Sequence, residues 1–534
     1  MNTRLLILLI YLLITLSIGV AFRKEAKKSK IEFFLAGRGL SKLFLFFTLA
    51  ATNFSAFTIF GFSGAGYRTG YAFYPVMGFG TGFMALSFYI IGNKILILSK
   101  KRNYITPSDF IYDRYRSTFL KKLFSLVMII FTLPYLATQA IASGNSLNSL
   151  IGIPYWFGAI LITVFIITYV TLGGLRSIVW TDLIQGIMMI GFTLVAFLII
   201  SYKSGGFISM HGEIEKSTPL LFSRPGNDNS MTYGVWFGFM FLWFFADPMF
   251  PQLFQRFMVA KDEKSLNNAV ILYPLITTFL FFLTVSIGVM GRYTFPNLEN
   301  TDNVFPLLLG QYTGTILSTI LLTGNIAALM STMDSQLLTL TSMITIDFFE
   351  IEKKEVFKER ITTIVLGGVG LLIALINPPQ TILGFLTSTS FNGYSVLAPA
   401  VIGGLYWRKA NRYGAVLSII VGEAMVFAYY LGLIRTPGVH SVVPIMAVTT
   451  AVFIVTSLIT TQQNENIEII FNIKKNSLRW IPVFAILFIL GNDFWAWGRQ
   501  PVIIAGLPLW VLYYVALGII LSICYKLFFM SVEK

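Results

Sequence analysis

Residues 49–70 read LAATNFSAFTIFGFSGAGYRTG, and this stretch decides the fold. Apolar residues on either side would carry a helix through a bilayer. At its centre Ala51, Thr52, Asn53, Ser55 and Ala56 replace them with small and polar side chains, and Gly61, Gly64 and Gly66 follow. A helix in lipid must satisfy its own backbone, so an interrupted one is tolerated only where it is buried in protein or lines a cavity. A second interruption stands at 241–257, FLWFFADPMFPQLFQRF. There Pro248 and Pro251 each remove a backbone donor and clash with the preceding turn. Carbonyls freed at such breaks are free to hold a cation.

The rest of the chain supports a membrane setting. Of 534 residues 56% are hydrophobic and 12% charged, against about 25% charged in soluble domains. Apolar runs of about 20 residues cross a bilayer as helices. They occur near 4–22, 41–67, 72–98, 121–149, 155–173, 177–202, 232–254, 268–292, 308–346, 361–377, 380–407, 413–434, 441–460, 479–495 and 507–530. Residues 1–22 are expected to stay as a helix, because the run is long for a signal peptide and lacks a small-x-small cleavage site.

The net charge of +15 follows from topology rather than from a nucleic-acid partner. About 31 of the 39 Lys and Arg residues fall in one alternating set of segments: 23–42, 94–122, Arg176, 256–264, 353–360, 408–412, 474–479 and the C-terminus. Basic residues gather on the cytoplasmic side, which puts the N-terminus outside and the C-terminus inside. Cys524 is the sole cysteine and His211 and His440 the only histidines, and no Walker-type loop or H-E-x-x-H occurs. Disulfides, His-rich zinc sites, Ser-His-Asp catalysis and ATP-driven transport therefore lack material.

The two interruptions open two blocks of five spans, 41–202 and 232–407, which is the pattern of an inverted-repeat transporter with its site at the midplane. The expected organisation is a peripheral helix and loop (1–40), a first repeat (41–202), an external loop (203–231), a second repeat (232–407) and C-terminal peripheral helices (408–534). The ninth span carries GNIAALMSTMDSQLLTLTS at 324–342, where Ser331 and Thr332 are adjacent and Asp334 and Ser335 lie one turn on. Hard cations take oxygen ligands. Two hydroxyls with carbonyls from a broken helix make a sodium cage without net charge. Asp182, in GGLRSIVWTDLIQGIMM, is an intramembrane carboxylate and so a functional candidate, with a water-solvated or Arg-paired structural role as its rival. Glu423 and Asp493 read as helix-end or packing residues.

Five segments in order resemble the sodium:solute symporter family: 33–70, 169–186 (YVTLGGLRSIVWTDLIQG), 250–270 (FPQLFQRFMVAKDEKSLNNAV), 327–349 (AALMSTMDSQLLTLTSMITIDFF) and 405–422 (LYWRKANRYGAVLSIIVG). The resemblance implies an all-α, five-plus-five inverted-repeat core of the leucine-transporter type, with extra helices at both ends. It also implies a main sodium site made by the carbonyls of Ala51, Phe54 and Ala328 and the hydroxyls of Ser331 and Thr332. A second cation site in some members corresponds to Asp182, Asp334 and Ser335, where Asp334 replaces a serine. Tyr135 and Trp243 match aromatic positions of the proline carriers. Asn53 stands where those have an aspartate, and Asp247 where they have a tyrosine. With Ser55, Thr58 and Gln139 these make the expected solute-binding set. Thr58 and Phe250 stand where sugar carriers use polar residues, so an amino acid or small organic acid is favoured over a hexose. The C-terminal 497–519 is similar to a small subunit found beside pantothenate and monocarboxylate carriers. The expected function is sodium-coupled import of a small organic solute, with no cofactor beyond Na+ and no catalytic residues. Proton coupling on the same fold, through Asp182 or Asp334, and sodium/sugar symport stay open as alternatives, as does a transporter-like channel or sensor.

Overall fold

The computed structural model describes residues 3–26, 28–349, 356–376, 381–460, 471 and 475–532. Parts of the basic segments 353–360 and 474–479 lie outside these residues. Among the described residues, eleven continuous helices are long and apolar enough to cross a membrane, and a twelfth span is the bent pair Lys42–Asn53 and Phe57–Arg68.

The remaining expected spans are present in interrupted form. The runs 155–173 and 177–202 join into one 49-residue helix, Tyr155–Lys203, which leaves helical geometry at Gly174 (φ 58°, ψ −159°). A straight helix of that length would extend about 74 Å, more than twice a bilayer core, so the kink divides it into two arms. Only glycine suits that backbone, and a Cβ there would meet the Phe33 carbonyl oxygen at 2.7 Å. The run 232–254 becomes Tyr233–Ala246, a turn at Asp247–Met249, and Pro251–Val259. The run 380–407 becomes Ile382–Thr389, Phe391–Val396 and Ala398–Tyr406.

Three expectations need correction. The span 308–346 is split: Val304–Tyr312 is a separate helix, and Thr315–Met343 begins after Gly314. The loop 203–231 carries a helix, Phe207–Ser217, and a short turn at Pro219–Phe222. Arg256 is not a loop charge. It lies within Pro251–Val259 and is fully buried, because that helix re-enters the protein after Pro251 instead of leaving it.

The two broken helices meet close to Leu40 and Val259. Leu40 N–H donates to Val259 O (3.1 Å) and Lys261 N–H to Leu40 O (2.9 Å). Helix Thr315–Met343 packs between the long helix Tyr155–Lys203 and the first broken helix, and is buried from Leu321 to Met343. Such all-round burial is what permits its many hydroxyls, since each must find a partner inside the protein. The C-terminal helices Ile481–Asn492 and Leu509–Val532 lean on Glu263–Thr294 and on 71–92. There Tyr525 O–H donates to the carbonyls of Gly82 (3.2 Å) and Phe83 (2.9 Å).

Candidate functional site

The first helix stops at Asn53, where Phe54 turns extended (φ −88°, ψ 95°). Ser55 restarts it: its hydroxyl accepts from Phe57 N–H (3.1 Å) and its carbonyl from Thr58 N–H (2.9 Å). That leaves Ala56 N–H buried without a helical acceptor. Gln139 Oε1, from the neighbouring helix Thr118–Ile151, supplies it at 3.1 Å, while Gln139 Nε2 donates to Tyr135 O (3.2 Å). Gln139 thus supports the break with both ends of its amide, a task its place in the expected solute set did not suggest.

Opposite the break stand the two hydroxyls. Ser331 Oγ donates to Ala51 O (2.8 Å) and Ala328 O (3.0 Å). Thr332 Oγ1 reaches Thr52 O (3.1 Å), Ala328 O (3.3 Å) and Ala51 O (3.4 Å). Four of the five expected sodium ligands therefore converge on one buried spot; the fifth, Phe54 O, takes no part in these hydrogen bonds. The oxygens are all neutral, which suits a monovalent hard cation. With hydroxyl hydrogens rotated away, the same atoms point lone pairs at a shared centre.

The second trio is also brought together, around a cation supplied by the chain itself. Arg256 Nη2 donates to Ser335 Oγ (2.5 Å) and lies 3.6 Å from Asp182 Oδ2, and Arg256 Nε donates to Thr48 Oγ1 (2.8 Å). Thr48 donates to Asp182 Oδ2 (2.5 Å). Asp334 accepts from Tyr169 O–H (2.6 Å) and Ser335 Oγ (3.1 Å). Asp182 is thus Arg-paired and completely buried. Arg256 had no visible role because it follows an apolar run closely enough to resemble a cytoplasmic flank.

The solute set lies on the other side of the break. Asn53 Nδ2 donates to Asp247 Oδ2 (3.2 Å) and Tyr273 O–H (2.5 Å), and Tyr135 O–H donates to Ser55 Oγ (3.1 Å). Trp243 packs on Phe57 and Phe391, with ring centres 5.9 and 5.2 Å away. Thr58 Oγ1 and Trp243 Nε1 are buried without partners. Phe57, Tyr273 and Phe391 were missed, since an aromatic within an apolar run carries no signal of its own. For Phe391 a clue existed in the polar run STSFNGYS (388–395), which is a third interrupted span.

Two polar clusters flank this region. In one, Arg68 at the end of the first broken helix pairs with Asp302 (3.7 Å), and Asp302 Oδ2 accepts from Ile382 N–H (2.7 Å). Burial lifts the Asp302 carboxyl to about 6, with Arg68 opposing the rise. In the other, Asp347 accepts from Thr106 (2.8 Å), Ser108 (2.6 Å) and Ser125 (2.6 Å) and faces Lys121 at 3.2 Å. These contacts tie the end of the hydroxyl-rich helix to residues 106–125.

Comparison with known proteins agrees with this architecture. The profile of the sodium:solute symporter family matches residues 33–422. The sodium/pantothenate symporter of Haemophilus influenzae is 29% identical over 451 residues, covering 82% of this chain and 92% of that protein. The osmoregulated proline transporter of Bacillus subtilis is 28% identical over 479 residues, covering 84% and 94%. Among solved structures, a Na+-coupled sialic acid symporter in a substrate-bound outward-open state superposes with a TM-score of 0.71 at 19% identity, covering 87% of this chain and 99% of that one.

Proposed function

The chain belongs to the sodium:solute symporter family, and from that premise we propose that sodium, seated between the break at Phe54–Ser55 and the Ser331–Thr332 turn, drives import of a small organic solute by alternating access. One observation carries this reading: the hydroxyls of Ser331 and Thr332 meet the Ala51 and Ala328 carbonyls across two helices. Sodium at that point replaces direct hydrogen bonds by a shared ion, so its presence or absence sets how the first broken helix lies on Thr315–Met343.

Coupling then follows from adjacency along the chain. Asn53 lies between Ala51 and Phe54, and its amide holds Asp247 and Tyr273. Ordering the carbonyls at 51 and 54 orders Asn53, and a solute that orders Asn53 helps the ion in return, as linkage requires. Each sodium entering down a potential of 100 mV supplies about 2.3 kcal/mol. Opening the outer face requires the Arg68–Asp302–Ile382 contacts to part, and opening the inner face requires the same of Asp347 with residues 106–125.

The protein works in a cell membrane as a multi-pass chain, N-terminus outside and C-terminus in the cytoplasm, the side to which its basic segments point. It needs sodium, a solute and a bilayer, with no cofactor, nucleic acid or chemical step. The relatives named for pantothenate and proline set the first compounds to try. Proteoliposomes given an inward sodium gradient should accumulate solute above equilibrium, and replacing sodium by potassium should abolish this. Accumulation under a proton gradient alone, without sodium, would overturn the assignment.

A further inference from the structure

The Asp247 carboxylate is 1% exposed and, among the described residues, has no basic partner. Among those residues its carboxylate takes one hydrogen bond, from Asn53 Nδ2 to Oδ2, and Oδ1 takes none. Other buried aspartates are better supplied: Asp334, which has no ion pair among the described residues, accepts hydrogen bonds on both oxygens, from Tyr169 and Ser335, and four more face a basic side chain. Asp182 faces Arg256, Asp302 faces Arg68, Asp347 faces Lys121 and Asp493 faces Arg224. A carboxylate buried without a counter-charge is costly, and such groups persist where something outside the chain completes them.

The surroundings of Asp247 specify that missing partner. Asn53 Nδ2 links Asp247 to the Tyr273 hydroxyl. Next to it Phe57, Tyr135, Trp243 and Phe250 all pack on Phe391, with ring centres 5.2–5.5 Å from it. Aromatic faces beside a carboxylate attract an ammonium or alkylated ammonium group, through the ring quadrupole and through charge. A small metal ion would instead draw on a set of oxygens with little use for ring faces, and here the rings outnumber the one carboxylate. Trp243 Nε1 in this cluster, and Thr58 Oγ1 beside Phe57 in the chain, are buried donors without acceptors among the described residues. They are placed to receive a carboxylate or carbonyl belonging to the same solute.

Resting on the symporter reading above, we propose that the solute is a small zwitterion. Its ammonium end pairs with Asp247 against the rings around Phe391, and its acceptor end meets Trp243 and Thr58. Carboxylates without an ammonium group are rejected by Asp247, which separates this chain from the relatives named for pantothenate. Phe391 sits at the centre of the closed cluster, so its helix, Phe391–Val396, must shift for the rings to open around a solute.

Uptake into proteoliposomes under a sodium gradient tests this with L-proline and glycine betaine on one side and D-pantothenate and L-lactate on the other. At least one of the first pair should accumulate, and neither of the second. Asp247→Asn should lower that uptake tenfold or more, while Asp247→Glu, which keeps the charge, should retain most of it. Sodium-driven uptake of pantothenate or lactate but of neither zwitterion overturns this inference and leaves symport standing. Zwitterion uptake indifferent to sodium does the reverse. An Asp247→Asn protein as active as the wild type also overturns it, and the wild-type panel decides the matter if that variant fails to fold.

Discussion

Arg256→Gln offers a sharp test of how the core is held. The guanidinium is fully buried, donates to Thr48 and Ser335, and stands 3.6 Å from Asp182. Removing one member of a buried ion pair leaves the other uncompensated, at about 3–5 kcal/mol. With an unfolding entropy of about 2.1 cal/mol/K per residue, a chain of 534 residues loses roughly 1.1 kcal/mol per degree, so the melting temperature should drop by about 4 °C. Asp182→Asn should cost less, because Asp334 remains within electrostatic reach of Arg256. The double variant removes both charges and keeps amides to meet Thr48 and Ser335. It should melt above Arg256→Gln alone, the signature of a coupled pair. Thermal unfolding of the four purified proteins, in one detergent and at one sodium concentration, makes the comparison. Losses that simply add would refute the pairing.

Two further outcomes follow from the same geometry. Since Arg256 already occupies the cluster of Asp182, Asp334 and Ser335, initial uptake should rise with sodium at a Hill coefficient near 1, and a coefficient near 2 would mean that a second ion binds. Asp302, lifted to about 6 from an unfolded value near 4, binds a proton more readily in the folded state. The melting temperature should therefore carry a component that falls as pH rises from about 4 to 6. Asp302→Asn should lack that component, and identical pH profiles for the two proteins would remove the Arg68–Asp302 closure from the account.

Much of this site could be read from sequence wherever polarity interrupts apolarity. Thr52, Asn53 and Ser55 stand out because lipid forbids them unless they are buried in protein, and Ser331 with Thr332 stand out for the same reason. Pro248 and Pro251 marked the second break by their backbone chemistry. What stayed hidden depends on where the chain goes after a break. Arg256 resembles a cytoplasmic flank until Pro251–Val259 is seen to turn inward. Gln139 looks like a pocket residue until Ala56 N–H is found to need it. Phe391 is one aromatic among fifty phenylalanines, and only the packing of four rings on it reveals its place. The separate helix Val304–Tyr312 escaped notice because its composition matches that of the span it precedes.

The sodium-induced thermal shift of a variant carrying both Ser331→Ala and Thr332→Ala addresses the ion site itself, free of any assumption about the solute. The wild-type protein should gain melting temperature as sodium replaces potassium at constant ionic strength. The double variant, stripped of both hydroxyl ligands, should gain none and should take up no solute in response to sodium. A shift of wild-type size in the double variant would mean that the ion sits elsewhere.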